Sequence, residues 1–446
     1  MLCIQSFLSA CCLMAAVHQP IHLLVTESSE ATLNQSIAIH IQELDPFSVI
    51  ELEARTTDQK GETWTSHASY QTDKDGSVNL SSSRPLPRSS YDVADEMGLF
   101  WSMLPASNDH SLSFKCKEDA FIVELTLRQK EKILGKKTIT RFLKSPDIKR
   151  VEVNENGLVG VLFLPPSTKP LPVIITLSGS NGGISENRAK LLASNGFAVL
   201  ALGVFGVEGL SPNLQDVPLE YFETAFAWLK DQPQIDSSRV GLYGVSRGAE
   251  LALILGSYFP DSIQGIVAVV PSSVVYGGLS ETPVNAWIYQ GKPILPFAPV
   301  PQTDFESGIG YAPDKPANTR QSFLEGMKQA EAFEAAAIPV ENLRCPLLLI
   351  SGGDDQMWPS DVYARQILDR LERMDSEIYR NHLHYPSAGH GINIPNLPIP
   401  GPTYFHPIGK RWLSMGGTRA SDAAASRDAW NKLVAFFHQT FDQENQ

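Results

Sequence analysis

Ser246 stands in Gly244-Val245-Ser246-Arg247-Gly248, between an apolar run, Val240-Gly241-Leu242-Tyr243, and a helix-forming segment, Ala249 to Leu255. A serine on a sharp strand-to-helix turn is held above the sheet, facing the first N–H groups of the helix. Glycines on both sides keep side chains out of a turn too tight to hold them. The arrangement suits attack on an acyl carbon, because those N–H groups stabilise an oxyanion. The bare five-residue pattern also occurs at ordinary turns, and it is the flanking strand and helix that give it chemical weight.

A serine hydroxyl is a poor nucleophile until a base takes its proton. On this kind of turn the partners follow in the order serine, acid, histidine. Past the apolar run Leu347–Ile350 the chain reads Ser351-Gly352-Gly353-Asp354-Asp355-Gln356-Met357-Trp358. Asp355 has the preferred offset from Gly352 and Asp354 is the alternative, though either also suits a turn carboxylate capping the next helix. Tyr385-Pro386-Ser387-Ala388-Gly389-His390-Gly391 then offers His390, the one of ten histidines set among glycines downstream of the acid. Two oxyanion donors are expected. One is the backbone N–H of Arg247; the other belongs to Ser180 or Asn181, in the glycine-rich loop Ser178-Gly179-Ser180-Asn181-Gly182-Gly183.

These residues need a scaffold. From about 149 to 442, apolar runs at Val173–Leu177, Phe197–Leu202, Val240–Tyr243, Gly265–Val270 and Leu347–Ile350 alternate with helical stretches such as Glu220–Lys230. Runs without polar alternation are strands buried on both faces, and alternation with helices gives an α/β fold around a parallel sheet. Loops at the carboxyl ends of its strands then carry the chemistry. Residues 275–320 break the rhythm with prolines and aromatics (Trp287, Tyr289, Phe297, Phe305, Tyr311), and a lid over the site is expected there. Residues 21–145 differ: short alternating strands at Ser36–Ile41, Ile50–Arg55 and Phe121–Leu127 predict an all-β sandwich. Within it, Ala68–Thr72 and Ser77–Leu80 read as a hairpin closed by Asp73-Lys74-Asp75-Gly76.

A length of 446 residues allows two or three domains, and 43% hydrophobic with 19% charged residues fits an ordinary globular chain. A formal charge of −13 argues against nucleic acid as partner and requires a local basic patch for any polyanionic ligand. Three of five cysteines (Cys3, Cys11, Cys12) lie in the first dozen residues, which leaves no disulfide framework. No metal-ligand spacing occurs, and His382 and His384 read as a packing pair on a strand. Residues 1–20 read either as a leader, with Leu8-Ser9-Ala10-Cys11 like a lipoprotein processing site, or as a disordered start. No other stretch is long and apolar enough for a stable membrane span.

With those residues in place, the chain resembles the acyl-CoA thioesterase and bile acid-CoA:amino acid N-acyltransferase family. The matching segments are Asp95-Glu96-Met97-Gly98-Leu99-Phe100-Trp101, Gly182-Gly183-Ile184 with Arg188-Ala189, Leu219-Glu220-Tyr221-Phe222-Glu223, Asp354-Asp355-Gln356-Met357-Trp358, Tyr385-Pro386 with Gly389-His390, and Asp428-Ala429-Trp430 with Phe436-Phe437-His438. The resemblance implies a β-sandwich followed by an α/β-hydrolase domain, and a fatty or related acyl-CoA as substrate, with no cofactor. It implies hydrolysis, because family members that transfer acyl groups to amino acids generally carry cysteine where this chain has Ser246. It leaves three alternatives: an amine acceptor in place of water, a carboxylesterase of the dienelactone-hydrolase type, and a non-catalytic binding protein. Arg188 and the Arg247 side chain are candidates for CoA phosphates. A cytoplasmic monomer or small homo-oligomer is expected, or an exported protein if residues 1–20 act as a leader.

Overall fold

The computed structural model describes residues 23–25, 29–109, 112–280, 282–301, 309–399 and 401–442. The expected leader, residues 1–20, lies outside the described residues.

Near the N-terminus, alternation decides the architecture. Ile50, Leu52 and Ala54 on the strand Val49–Thr57 face the same core as Trp64, Ala68 and Tyr70 on Thr63–Gln71. These two strands belong to a six-stranded sheet with Leu104–Pro105, Ala120–Gln129, Lys132–Phe142 and Glu30–Thr32. Neighbours run antiparallel except Glu30–Thr32, which lies parallel to Lys132–Phe142. A smaller sheet, Leu23–Val25, Ile39–Ile41 and Val78–Asn79, covers the core from the other side, with Ile39, Ile41 and Val78 buried in it. One face packed and one face wet is the form that alternating strands dictate.

The expected hairpin across Asp73–Gly76 is not formed. The turn itself exists, with Asp73 Oδ1 accepting from the N–H groups of Asp75 and Ser77 at 2.9 and 2.8 Å. Thr63–Gln71 pairs instead with Val49–Thr57, and Val78–Asn79 pairs with Ile39–Ile41 in the other sheet. The turn therefore carries the chain from one sheet to the other. Its chemistry is local, whereas the choice of partner follows from burying Val78 and Leu80 in the shared core.

The second sheet has eight strands: β1 (Lys149–Glu155), β2 (Leu158–Leu164), β3 (Leu171–Leu177), β4 (Ala198–Leu202), β5 (Ile235–Val245), β6 (Gly265–Val269), β7 (Leu347–Gly352) and β8 (Arg380–Tyr385). Their order is β1-β2-β4-β3-β5-β6-β7-β8. β1 and β2 are antiparallel, β2 is antiparallel to β4, and the rest run parallel. This is the α/β-hydrolase sheet. Helices α1 (Glu186–Ala193) and α5 (Arg419–Asp442) cover one face; α2 (Glu220–Lys230), α3 (Arg247–Tyr258) and α4 (Ser360–Arg373) cover the other. The buried stripe of α2, Phe222, Ala225, Phe226 and Leu229, shows why it lies there.

The core under α1 and α5 is continuous with that of the β-sandwich. Helix α5 also ties the two regions with polar contacts. Arg427 reaches Asp95 at 2.8 Å, and Arg419 donates to the carbonyls of Ile399 and Met103 at 2.6 and 3.0 Å. Asp95 also accepts from the indole of Trp101, so the Asp95–Trp101 segment is spent on joining the two regions. Among the described residues no helix is long and apolar enough to cross a membrane.

Candidate active site

Ser246 joins β5 to α3 with φ 59° and ψ −122°, a conformation that costs a non-glycine residue of order 1–3 kcal/mol. Its N–H donates to Val269 O at 2.9 Å and its carbonyl accepts from Ala249 N–H at 2.8 Å, pinning the strained turn from both sides. The flanking glycines are sterically required. A Cβ on Gly244 would lie 2.0 Å from Gly248 O, and one on Gly248 would lie 2.4 Å from Leu177 O. Arg247 opens α3, so its N–H has no acceptor within the helix.

Asp355 follows β7 and is fully buried. Its Oδ1 accepts from the N–H groups of Met357 and Trp358 at 3.0 and 3.2 Å, and its Oδ2 from Ser360 Oγ at 2.6 Å and His390 Nδ1 at 2.8 Å. Asp354, the alternative acid, is exposed and holds Gly417 N–H instead. His390 follows β8, donates its backbone N–H to Met415 O at 2.7 Å, and has the Trp358 ring edge-on at 5.9 Å. Ser246 and His390 open on one cavity, together with Ser180, Asn181 and Arg188. Such a set can pass a proton from a hydroxyl to an imidazole whose far nitrogen is held by a carboxylate.

The loop after β3 approaches Ser246 closely, since a Cβ on Gly179 would sit 3.4 Å from Ser246 Cβ. Ser180 is fastened by His406, whose Nε2 lies 2.9 Å from Ser180 Oγ. Gly409 N–H donates to His406 Nδ1 at 2.9 Å, so the neutral imidazole carries its proton on Nε2 and donates it to Ser180. Burial pushes the His406 pKa down, which keeps it neutral.

On one side of Ser246 lies an apolar cavity of about 500 Å³, lined by Leu279, Val284, Phe297, Phe323, Trp358 and Leu413 among others. Part of the segment expected as a lid forms this wall. Another part does not: Trp287–Tyr289 pairs with Val217–Pro218 and Lys292–Pro293, and the Trp287 indole points inward to Glu250 at 2.8 Å. Phe305 lies outside the described residues.

The Arg247 side chain is not placed to meet an external phosphate. Its guanidinium is buried, 3.2 Å from the fully buried Glu250, and donates to Tyr276 O at 2.9 Å. The pairing holds because a charge buried beneath the turn needs a counter-charge. Arg188 is half-buried and donates to Asn393 Oδ1 at 3.0 Å and Ser185 Oγ at 3.1 Å. His382 and His384 share Ser351 Oγ at 2.7 and 3.3 Å.

Two groups escape a reading of the sequence. The hairpin Thr403–His406/Arg411–Ser414, which brings His406, follows a proline-rich stretch with no strand signal beyond a few aromatics. Asp422 looks like any polar residue in the first turn of a helix, yet it is buried and accepts from Gly389 N–H at 2.8 Å, beside His390. Burial raises its pKa to about 7, against the pull of that N–H, with the nearby charges of Asp354 and Asp355 pushing the same way as burial. An unfolded aspartate releases its proton near 3.9. Folding therefore takes up a proton between those values. The stability this carboxyl contributes is fully present below about pH 3.9 and is lost as pH rises through about 7, up to about 4 kcal/mol in all. Asp422→Asn should flatten this loss, so its thermal unfolding temperature should gain on the wild type from pH 4 to pH 8; equal profiles would refute it.

Residues 217–443 match the family described as BAAT / Acyl-CoA thioester hydrolase C terminal. Residues 34–155 match Acyl-CoA thioester hydrolase/BAAT N-terminal region. Acyl-coenzyme A thioesterase 6 of Mus musculus is 32% identical over 427 residues, covering 95% of this chain and 97% of that protein. Acyl-coenzyme A thioesterase 1 of Homo sapiens is 30% identical over 425 residues, covering 94% of this chain and 96% of that one. Among solved structures, a Pyrobaculum calidifontis esterase aligns with 65% of this chain and 84% of its own at 13% identity and a TM-score of 0.38.

Proposed function

The chain belongs to the acyl-CoA thioester hydrolase/BAAT family, and on that premise we propose that it hydrolyses fatty or related acyl-CoA to free acid and CoA through a Ser246-His390-Asp355 triad. The observation that carries the reading is a serine on the strained turn, opening on one cavity with a carboxylate-held histidine and bordered by an apolar pocket. We take residues 21–145 and 149–442 as the two domains, and the described residues of 276–300 that border the pocket as the acyl-side lid.

His390, oriented by Asp355, takes the Ser246 proton as the hydroxyl attacks the thioester carbonyl. The oxyanion meets the Arg247 N–H and an N–H of Ser180 or Asn181, each worth roughly 3–4 kcal/mol in comparable sites. The thiol of CoA leaves with the proton from His390. Water, activated by the same imidazole, then releases the acid and restores Ser246. Nothing in these steps calls for a metal or redox cofactor. An apolar pocket of about 500 Å³ is far larger than an acetyl group needs, and it favours medium or long chains.

The test is thiol release from acyl-CoAs graded from acetyl to stearoyl, with products analysed in the presence and absence of glycine or taurine. Free acid as sole product, with long chains outpacing acetyl, is expected. Amide formation would make the protein an acyltransferase, and absence of thiol release would leave a carboxylesterase. Because His406 steadies Ser180, His406→Phe is expected to lower kcat about tenfold with a smaller change in KM. Equal kcat values in steady-state assays would remove it from the positioning of the loop.

A further inference from the structure

Ser246 lies at a junction. The apolar cavity touches it from one side, and on the other the small cavity holding Ser246 and His390 shares Asn181, Arg188 and Asn393 with a polar cleft of about 1090 Å³. That cleft runs between the β-sandwich segment Phe114–Asp119 and the N-terminal half of α1. A thioester of CoA is divided the same way: an apolar chain on one side of the carbonyl, and on the other a polar arm ending in a nucleotide with three phosphates.

The charges in the cleft are unevenly paired. Asp119 is held by Lys144 and Lys190 at 3.2 and 3.0 Å, and Glu186 by Arg150 at 2.9 Å. Lys115, Lys117 and Arg188 have no carboxylate within ion-pair distance among the described residues; Arg188 has only the neutral Asn393 and Ser185. Among the described residues lining the cleft, only Glu118, which is exposed, stands against these three cations with no described partner of its own. In a chain of net charge −13 this is the local basic patch that a polyanion needs.

We propose that the cleft binds the CoA end of the substrate, with Lys115, Lys117 and Arg188 meeting the nucleotide phosphates and the pantetheine arm passing Asn181 and Asn393 to reach Ser246. The inference rests on the thioesterase reading for its substrate, and binding of free CoA tests it without that reading. Lys115 and Lys117 are exposed, so the double variant Lys115→Gln/Lys117→Gln keeps the fold. Its KM for an acyl-CoA should rise about tenfold, against less than twofold for the uncharged S-acyl-pantetheine of equal chain length. The fall of kcat/KM with added salt should flatten as well. Lys132→Gln, at the exposed hairpin end of the strands Ala120–Gln129 and Lys132–Phe142, whose other end adjoins the cleft, serves as the control and should leave the acyl-CoA KM unchanged.

Calorimetry with free CoA needs no turnover. It should show saturable binding to the wild type, weakened about tenfold in the double variant and further by Arg188→Gln. Absent binding, or equal affinity in wild type and variant, overturns the cleft assignment. Hydrolysis of acyl-CoA with an unchanged preference over acyl-pantetheine in the double variant also overturns it, while leaving the hydrolase intact. CoA binding lost in the variant, with no thioester cleaved by the wild type, supports the cleft and sinks the hydrolase.

Discussion

Replacing Ser246 with alanine is expected to lower kcat for thioester hydrolysis on the order of 10⁵- to 10⁶-fold. The hydroxyl is the only group at the turn that forms the acyl-enzyme in the proposed mechanism, so nothing downstream compensates. The fold should survive, because the backbone pins of Ser246, Val269 and Ala249 involve main-chain atoms alone. Ser246→Gly makes a sharper pair with it. Glycine accepts φ 59° and ψ −122° without the steric cost, so the glycine variant should be as inactive as the alanine variant but more stable by about 1–3 kcal/mol. Thiol release and thermal unfolding of the three proteins test both claims. Substantial turnover by the alanine variant would remove Ser246 from the mechanism.

The second large effect is expected at Asp355. Its Oδ2 accepts from His390 Nδ1–H, which leaves the other ring nitrogen without a proton and able to take one from Ser246. Asparagine in its place presents an amide N–H to Nδ1. The imidazole then carries its proton on the wrong nitrogen, and kcat should fall roughly 10⁴-fold. Most of the local structure is retained, since an amide oxygen still accepts the N–H groups of Met357 and Trp358. Asp354→Asn is the matched control: it disturbs contacts to Gln356 and Gly417 only, and should cost less than tenfold. A larger loss at Asp354 than at Asp355 would reverse the assignment.

What could be read in the sequence was local. The strand, turn and helix around Ser246 follow from ten or so neighbouring residues, and the buried strands from uninterrupted apolar runs such as Ala198–Leu202. Asp355 and His390 were legible because glycine-rich loops after late strands bring side chains over a parallel sheet. What escaped depends on distant partners. The Asp73–Gly76 turn could be read but not the sheet it leads to, which is set by Ile39 and Ile41 some forty residues away. The Arg247 side chain looked free for ligand until Glu250, Tyr276 and Trp287 closed around it. His406 meets Ser180, on a loop more than two hundred positions earlier.

Helix α5 holds Gly389 through Asp422, Asp95 through Arg427 and the 101–103 turn through Arg419. It is also the last element to leave the ribosome among those described. The β-sandwich can collapse early, as N-terminal regions do during synthesis. Its apolar seam with the second sheet, however, stays open until α5 has been made. A nascent chain halted before residue 419 would carry Ser246, Asp355 and His390 complete, yet lack the helix that anchors the histidine loop. A chain without α5 would keep the nucleophile turn and the acid loop but leave open the apolar face that Trp430, Leu433 and Phe437 cover.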